Sequence, residues 1–110
     1  MLSLLFYLIA GHFIADYPLQ SDTIGINKHR LAKTELQKYV LWYYWLTGHA
    51  FTHGAMVGLA TGIYWLGCLE TIAHFLIDLG KCEKKYGLVV DHILHFICKI
   101  IWLVIWCYCK

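Results

Sequence analysis

Histidine and aspartate recur in pairs, four residues apart, at four separate places in the chain. The pairs are His12 and Asp16, His49 and His53, His74 and Asp78, and Asp91 and His95. On an α-helix, residues at this spacing lie on one face, with Cβ atoms about 6 Å apart. Each pair could therefore hold one metal ion, or two neighbouring ions, from a single helix.

The five imidazoles and three carboxylates of these pairs suit a borderline divalent cation. We expect zinc foremost, with manganese, iron and nickel as alternatives. Eight donors are more than one tetrahedral zinc needs, so the set also fits two ions about 3.5–4 Å apart, bridged by an aspartate. All eight residues are predicted metal ligands, and the candidate catalytic groups are the aspartates Asp16, Asp78 and Asp91.

Polar residues on apolar helices also have a plainer interpretation. A single histidine on such a face is more often a hydrogen-bonded packing residue than a ligand, and one pair alone would carry little weight. Four pairs drawn only from histidine and aspartate favour a shared polar site. The same residues could instead relay protons.

The composition predicts a membrane environment for these pairs. Apolar residues make up 60% of the 110 residues and charged residues only 15%, whereas soluble domains carry about 25% charged residues. An aspartate in hydrocarbon costs at least about 2.5 kcal/mol, so these side chains should face the interior of a bundle. We expect one domain, residues 1–110, with an all-α fold: an integral membrane bundle of about four transmembrane helices.

Four apolar segments should supply these helices, and they cover residues 2–17, 39–66, 67–80 and 88–108. The first and third are short for a span of about 20 residues. The long apolar stretch in the middle has no strong turn signal, and we place its break near Gly67.

The basic residues predict an orientation in the membrane. Seven of the nine lie in the connections 18–38 and 81–87, so the positive-inside rule makes both connections cytoplasmic and sends both termini outward. Within the first connection, residues 23–37 are expected to form a short interfacial helix with Asp22 or Thr23 as its N-cap. Nucleic-acid binding is not expected, because the net charge is only +2 and no extended basic stripe is left.

Other polar residues have less definite roles. Glu70 lies four residues before His74 and could orient its imidazole, whereas Lys99 should pair or snorkel. Lys81 could hold a phosphate, although a positive-inside anchor is the plainer interpretation. His92 points about 100° away from Asp91 on a helix and is expected to contact a ligand or a headgroup rather than a metal.

The residues also carry a family resemblance. The run from His12 to Asp22, followed by Asn27 and Lys28, resembles the opening signature of domain-of-unknown-function family 3307, a family of small phage and bacterial membrane proteins. Later motifs resemble that family in the same order, and they are His49-Ala-Phe-Thr-His53-Gly54, His74-Phe-Leu-Ile-Asp78 with Lys81, and Asp91-His92-Ile-Leu-His95. The resemblance covers nearly the whole chain and implies a bacterial inner membrane location.

A more distant likeness connects Phe51-Thr52-His53 to membrane-bound metal-dependent hydrolases. Because lipids have the best access to a site in a bilayer, our favoured hypothesis is a metal-dependent hydrolase acting on a lipid or phosphorylated substrate, with membrane lipid as its partner. One rival is a metal or proton transport or binding protein. Another is a structural or holin-like phage membrane protein, in which a metal staples the bundle and homo-oligomerisation would fit.

Overall fold

The computed structural model describes residues 1–109, which form helices and turns with no β-strand among them. The α-helices are α1 (Leu2–Asp16), α2 (Asp22–Asn27), α3 (Trp42–Thr61), α4 (Tyr64–Cys82) and α5 (Leu88–Cys109). Two short 3-10 turns, Arg30–Ala32 and Leu36–Lys38, lie between α2 and α3. The expected all-α fold is confirmed.

The four longer helices pack as a ring. Helix α1 contacts α3 and α5, and α4 contacts the same two helices from the other side. The connection between α3 and α4 is only Gly62–Ile63, so these two helices run antiparallel as a tight hairpin. The end of α1, the start of α3, the end of α4 and the start of α5 therefore lie together at one end of the bundle.

Local sequence explains where the helices end. Helix α1 stops before Tyr17-Pro18, because proline has no N–H to donate and disfavours a helical residue in front of it. Helix α3 stops at Gly62, which has φ 72° and donates its N–H to the carbonyl of Gly58 at 2.9 Å. The prediction of a break near Gly67 is wrong, since Gly67 lies inside α4.

The connection between α1 and α3 also differs from the prediction. Its helix is confined to α2, and the N-cap is Ser21, whose side chain accepts a hydrogen bond from the N–H of Ile24, rather than Asp22 or Thr23. The remaining chain is held by Gln37, whose side-chain amide donates to the carbonyls of Asn27 at 2.9 Å and His29 at 2.7 Å. The connection is thereby fixed beside the start of α3.

Helices α3 and α4 approach each other closely through two glycines. A Cβ atom on Gly67 would lie 2.6 Å from the carbonyl oxygen of Gly54 and 3.3 Å from the backbone of Gly58. A Cβ atom on Gly54 would lie 2.5 Å from the carbonyl oxygen of Gly67. Small residues of this kind let helix backbones touch, and here they bring His53, next to Gly54, close to α4.

The bundle has an apolar outer surface. Side chains such as Phe6, Leu59, Ile72 and Val89 are 60% or more exposed, whereas the paired polar residues are buried, except that Asp16 is partly exposed. Among residues 1–109, only α5 is both long enough and apolar enough to cross a membrane by length and composition. Helix α1 is apolar but shorter, so four transmembrane spans and their orientation stay predictions.

We predict that Gly67→Ala destabilises the bundle. The added methyl group meets backbone rather than a flexible side chain, and overpacking of this kind costs roughly 1–3 kcal/mol. Gly48→Ala is the matched control, because a Cβ atom there meets nothing within 4 Å. Thermal unfolding in mild detergent should show a lower Tm for Gly67→Ala and an unchanged or higher Tm for Gly48→Ala. Equal Tm values would contradict the close helix approach.

Candidate metal centre

The four sequence pairs meet at one end of the bundle. Asp16 is the last residue of α1, Asp78 lies one turn before the end of α4, and Asp91 lies in the first turn of α5. His49 and His53 come from deeper positions in α3, yet they face Asp16 because the first two turns of α3 extend beyond the end of α1, beside α2. The convergence predicted from the spacing is therefore present in the fold.

The carboxylate of Asp16 lies at the centre of this cluster. Its Oδ1 atom is 2.8 Å from Nε2 of His53 and 3.4 Å from Nε2 of His49. Its Oδ2 atom is 3.2 Å from Nε2 of His12 and 3.8 Å from Nε2 of His92. The two oxygens of one carboxylate thus face two different sets of imidazoles, so Asp16 could act as a ligand together with either set.

Three groups of side chains in residues 1–109 have the geometry of a metal site, with donor atoms all within 4.8 Å of one another. The groups are Asp16 with His49, His53 and His74; Asp16 with His12 and His92; and Glu70 with His74 and His95. A zinc ion with bonds of about 2.0–2.1 Å holds neighbouring donors about 3.3 Å apart. The contacts around Asp16 have the same scale, so the donor set fits such an ion, whose identity stays a prediction.

The imidazoles of three helices form a stack behind Asp16. The ring centroids of His53 and His74 are 3.7 Å apart, and those of His74 and His95 are 4.1 Å apart. All three rings are almost completely buried, and within residues 1–109 the Nδ1 atom of each has no hydrogen-bond partner. Cationic rings would repel one another at these distances, so the stack favours neutral imidazole, the form that binds metals.

Asp78 and Asp91 are in the same region but face lysines. Asp78 Oδ2 is 2.8 Å from Nζ of Lys28, and its Oδ1 is 3.2 Å from Nζ of Lys81. Asp91 Oδ2 is 3.8 Å from the same Lys81 nitrogen. The other Asp91 oxygen, Oδ1, is buried 3.2 Å from Nε2 of His95 without forming a hydrogen bond. The groups with metal-site geometry include the other six predicted ligands but not these two aspartates.

Part of this cluster lines a cavity of about 210 Å³ at the end of the bundle, whereas His12, His49 and His53 do not line it. Its wall combines carboxylates, imidazoles and ammonium groups with an apolar rim, and it is lined by Asp16, Tyr17, Gln20, Lys28, His74, Asp78, Lys81, Leu88, Asp91, His92 and His95. Two larger cavities, near Gly58 and near Gly11, are lined almost wholly by apolar residues and contain none of the predicted ligands. The chemistry therefore belongs to the smaller cavity.

A buried ion pair lies on the side of the histidine stack away from the cavity. Glu70 accepts from Nζ of Lys99 at 2.5 Å and from the indole N–H of Trp102 at 2.5 Å. Its Oε1 atom is also 3.5 Å from Nδ1 of His74. Both ions are almost fully buried, so Lys99 pairs rather than snorkels, and Glu70 lies beside the His74 ring without a hydrogen bond to it.

Three residues lie in positions that the sequence analysis did not predict. His92 was expected outside the ligand set, but its ring joins His12 and Asp16 in one of the groups. Lys28 was matched only through the family signature, yet it is 3% exposed and reaches Asp78 across fifty residues of sequence. His29, in the basic connection, is half-buried against Cys82, and burial lowers the pKa of its imidazole.

The fold and the cavity define a class of protein: a small all-helical bundle that buries a histidine and carboxylate cluster able to hold a metal. The chain matches the family described as protein of unknown function DUF3307 over residues 4–110, and it belongs to that family. The resemblance drawn from the motifs is thereby confirmed. No curated protein and no solved structure matches the chain, so the distant likeness to metal-dependent hydrolases is not confirmed.

We predict that Asp16→Asn loses metal. The amide removes the negative charge and one of the two oxygens that face the imidazoles, so metal affinity should fall at least about tenfold. Asp22→Asn is the control, because Asp22 is an exposed aspartate in α2. Elemental mass spectrometry after dialysis against a metal buffer would measure both variants. Equal metal content in Asp16→Asn and the parent would exclude Asp16 as a ligand.

We also predict that Glu70→Gln strongly destabilises the protein. The change leaves the buried Lys99 ammonium without a counter-charge, and breaking a buried ion pair in this way costs about 3–5 kcal/mol. The double variant Glu70→Gln/Lys99→Met removes both charges and should recover most of the stability. Denaturant titration of the three proteins measures the difference. A double variant as unstable as the single one would show that the pair is not the cause.

Proposed function

We propose that this protein is a membrane-embedded metal-dependent hydrolase that acts on a lipid or phosphorylated substrate. The observation that carries the proposal is the position of Asp16, whose two oxygens face separate sets of imidazoles. Two divalent ions in such a site would supply an activated water and a clamp for the oxyanion of the substrate. Zinc is the metal that the donor set favours, with manganese, iron and nickel as alternatives.

The distribution of polarity supports the membrane location. A soluble bundle places its charged residues outside, whereas here the ionisable residues of the four long helices converge inside and the outer faces are apolar. Helix α5 meets the length and composition of a span. The helices α3 and α4 have 20 and 19 residues, which corresponds to about 30 Å, the thickness of the hydrocarbon core.

The three candidate catalytic aspartates would have different tasks. Asp16 would be a metal ligand together with the imidazoles around it, and Asp78 would hold the two lysines in place. Asp91 is the group best suited to take a proton from the attacking water, because the residue lines the cavity and its buried Oδ1 atom has no hydrogen-bond partner among residues 1–109. His95, one turn away at 3.2 Å, would keep that oxygen in position.

The inner end of the polar cluster argues against ion transport. Beyond Glu70 and Lys99 the interior consists of an apolar core formed by Leu4, Leu8, Val57, Leu66, Trp102 and Leu103. A conduction path needs polar groups or water on both sides of the site. A cavity that opens at one end and is closed by packed apolar side chains at the other suits a reaction on a bound substrate better.

The test is lipid turnover by the protein in nanodiscs of mixed phospholipids that include phosphatidate, followed by mass spectrometry. We predict turnover in the parent and in His29→Ala, and a rate at least about 100-fold lower in His53→Ala, because His53 contacts Asp16. A chelator should abolish turnover, and added metal should restore it. Turnover that survives the chelator would refute the proposal.

Two other outcomes would identify the rivals. Metal flux into proteoliposomes without any turnover would favour a transporter. Unfolding or dissociation on chelation, with neither flux nor turnover, would favour a metal that only staples a structural membrane protein.

A further inference from the structure

We infer that Lys28 and Lys81 form an anion subsite of this cavity, which selects a phosphate monoester as the substrate group. The inference rests on the proposed function and narrows its substrate class. The two lysines approach the cavity from different elements, Lys28 from the end of α2 and Lys81 from the last turn of α4. Their ammonium groups meet at opposite oxygens of the Asp78 carboxylate, at 2.8 Å and 3.2 Å.

The burial of these lysines distinguishes them from membrane anchors. An anchoring lysine extends toward water or headgroups, as Lys38 does with a side chain 67% exposed. The side chains of Lys28 and Lys81 are only 4% and 25% exposed. Burying an ammonium group is costly unless it is paired and hydrogen-bonded, and Lys81 shares its carboxylates with Lys28 and His95.

The charge balance of the cavity also favours an anion site at the two lysines. Two ammonium groups beside a cation site repel the cations and weaken their binding. The carboxylates Asp16, Asp78 and Asp91 and the two lysines leave a single net negative charge in the wall. Two divalent ions would reverse that sign and leave an excess of positive charge. A bound dianion would then offset most of that excess, and a phosphate monoester is a dianion near neutral pH.

The geometry also suits phosphate. The charged oxygens of a phosphate accept strong hydrogen bonds from ammonium groups, and lysine supplies up to three donors without a fixed orientation. Lys81 Nζ lies 3.2 Å from Asp78 and 3.8 Å from Asp91, so it can turn toward a ligand between them without leaving its carboxylates. When Lys81 turns toward a ligand, Asp78 remains paired with Lys28.

Two sources could deliver this group: a lipid headgroup such as phosphatidate, or a water-soluble phosphate. The rim of the cavity contains Tyr17 and Leu88, which are 64% and 59% exposed. Apolar side chains beside the opening would contact the acyl chains of a lipid whose headgroup enters the cavity. The shared chemistry is the phosphate monoester, and the experiment separates the sources.

The test is a calorimetric titration of metal-loaded protein in nanodiscs of phosphatidylcholine with inorganic phosphate. We predict binding by the parent and a Kd at least about tenfold weaker for Lys81→Gln, with Lys81→Arg recovering part of the affinity because it keeps the charge. Lys38→Gln should bind like the parent. Lys81 is the position to change first, because Asp78 keeps Lys28 as its partner in that variant. Lys28→Gln should also weaken binding, although it leaves Asp78 less well compensated.

Metal content measured on the same samples separates the two proposals. Metal-bound parent that does not bind phosphate, or a metal-bound Lys81→Gln variant with the parental Kd, would overturn the anion subsite and leave the metal centre standing. A parent without metal would overturn the proposed function, and the subsite with it. Nanodiscs containing phosphatidate distinguish the sources: phosphatidate that competes with inorganic phosphate indicates a lipid headgroup, and phosphate binding that is unchanged indicates a soluble ligand.

Discussion

Buried ionisable groups must be compensated where they lie, and this requirement organises the whole bundle. Each of the four long helices brings polar side chains inward, and each buried charge has a partner on another helix or connection. Asp16 on α1 meets imidazoles from α3, Asp78 on α4 meets Lys28 from the connection after α2, and Glu70 on α4 meets Lys99 on α5. Breaking any of these partnerships would leave a charge with neither water nor a counter-ion. The polar contacts therefore specify how the helices are arranged, although each of them is costly to bury.

The close approach of α3 and α4 has a direct effect on the cluster. Gly54 and Gly67 allow the two backbones to touch, and Gly54 directly follows His53. The result is that His53 and His74 stack with ring centroids 3.7 Å apart. A wider separation of the two helices would pull the imidazoles of α3 away from those of α4. The small residues at the helix contact therefore hold the imidazole cluster together.

The sequence predicts the all-α fold and the convergence of the four pairs, because a spacing of four residues is a property of the helix itself. The break in the long apolar stretch could not be placed correctly, since glycine either ends a helix or permits close packing. Gly62 does the first and Gly67 the second, and only the contact with Gly54 distinguishes them. The contacts of Lys28 with Asp78 and of His92 with Asp16 join distant parts of the chain, and a rule about local spacing does not predict such contacts. The pairing of Asp78 with Lys28 could not be predicted for the same reason, because the two residues are far apart in the sequence.

The two ends of the bundle carry unequal amounts of chain. At the end away from the cavity, α3 and α4 are joined by Gly62–Ile63 alone, whereas the cavity end carries the connections 17–41 and 83–87. Loops tolerate insertion and substitution far better than the helices they join. The protein therefore separates a tightly packed helical scaffold, which holds the buried polar cluster, from an entrance formed by the connections. Substitutions in these connections would change the shape and charge of the entrance while the long helices and the imidazoles on them stay in place.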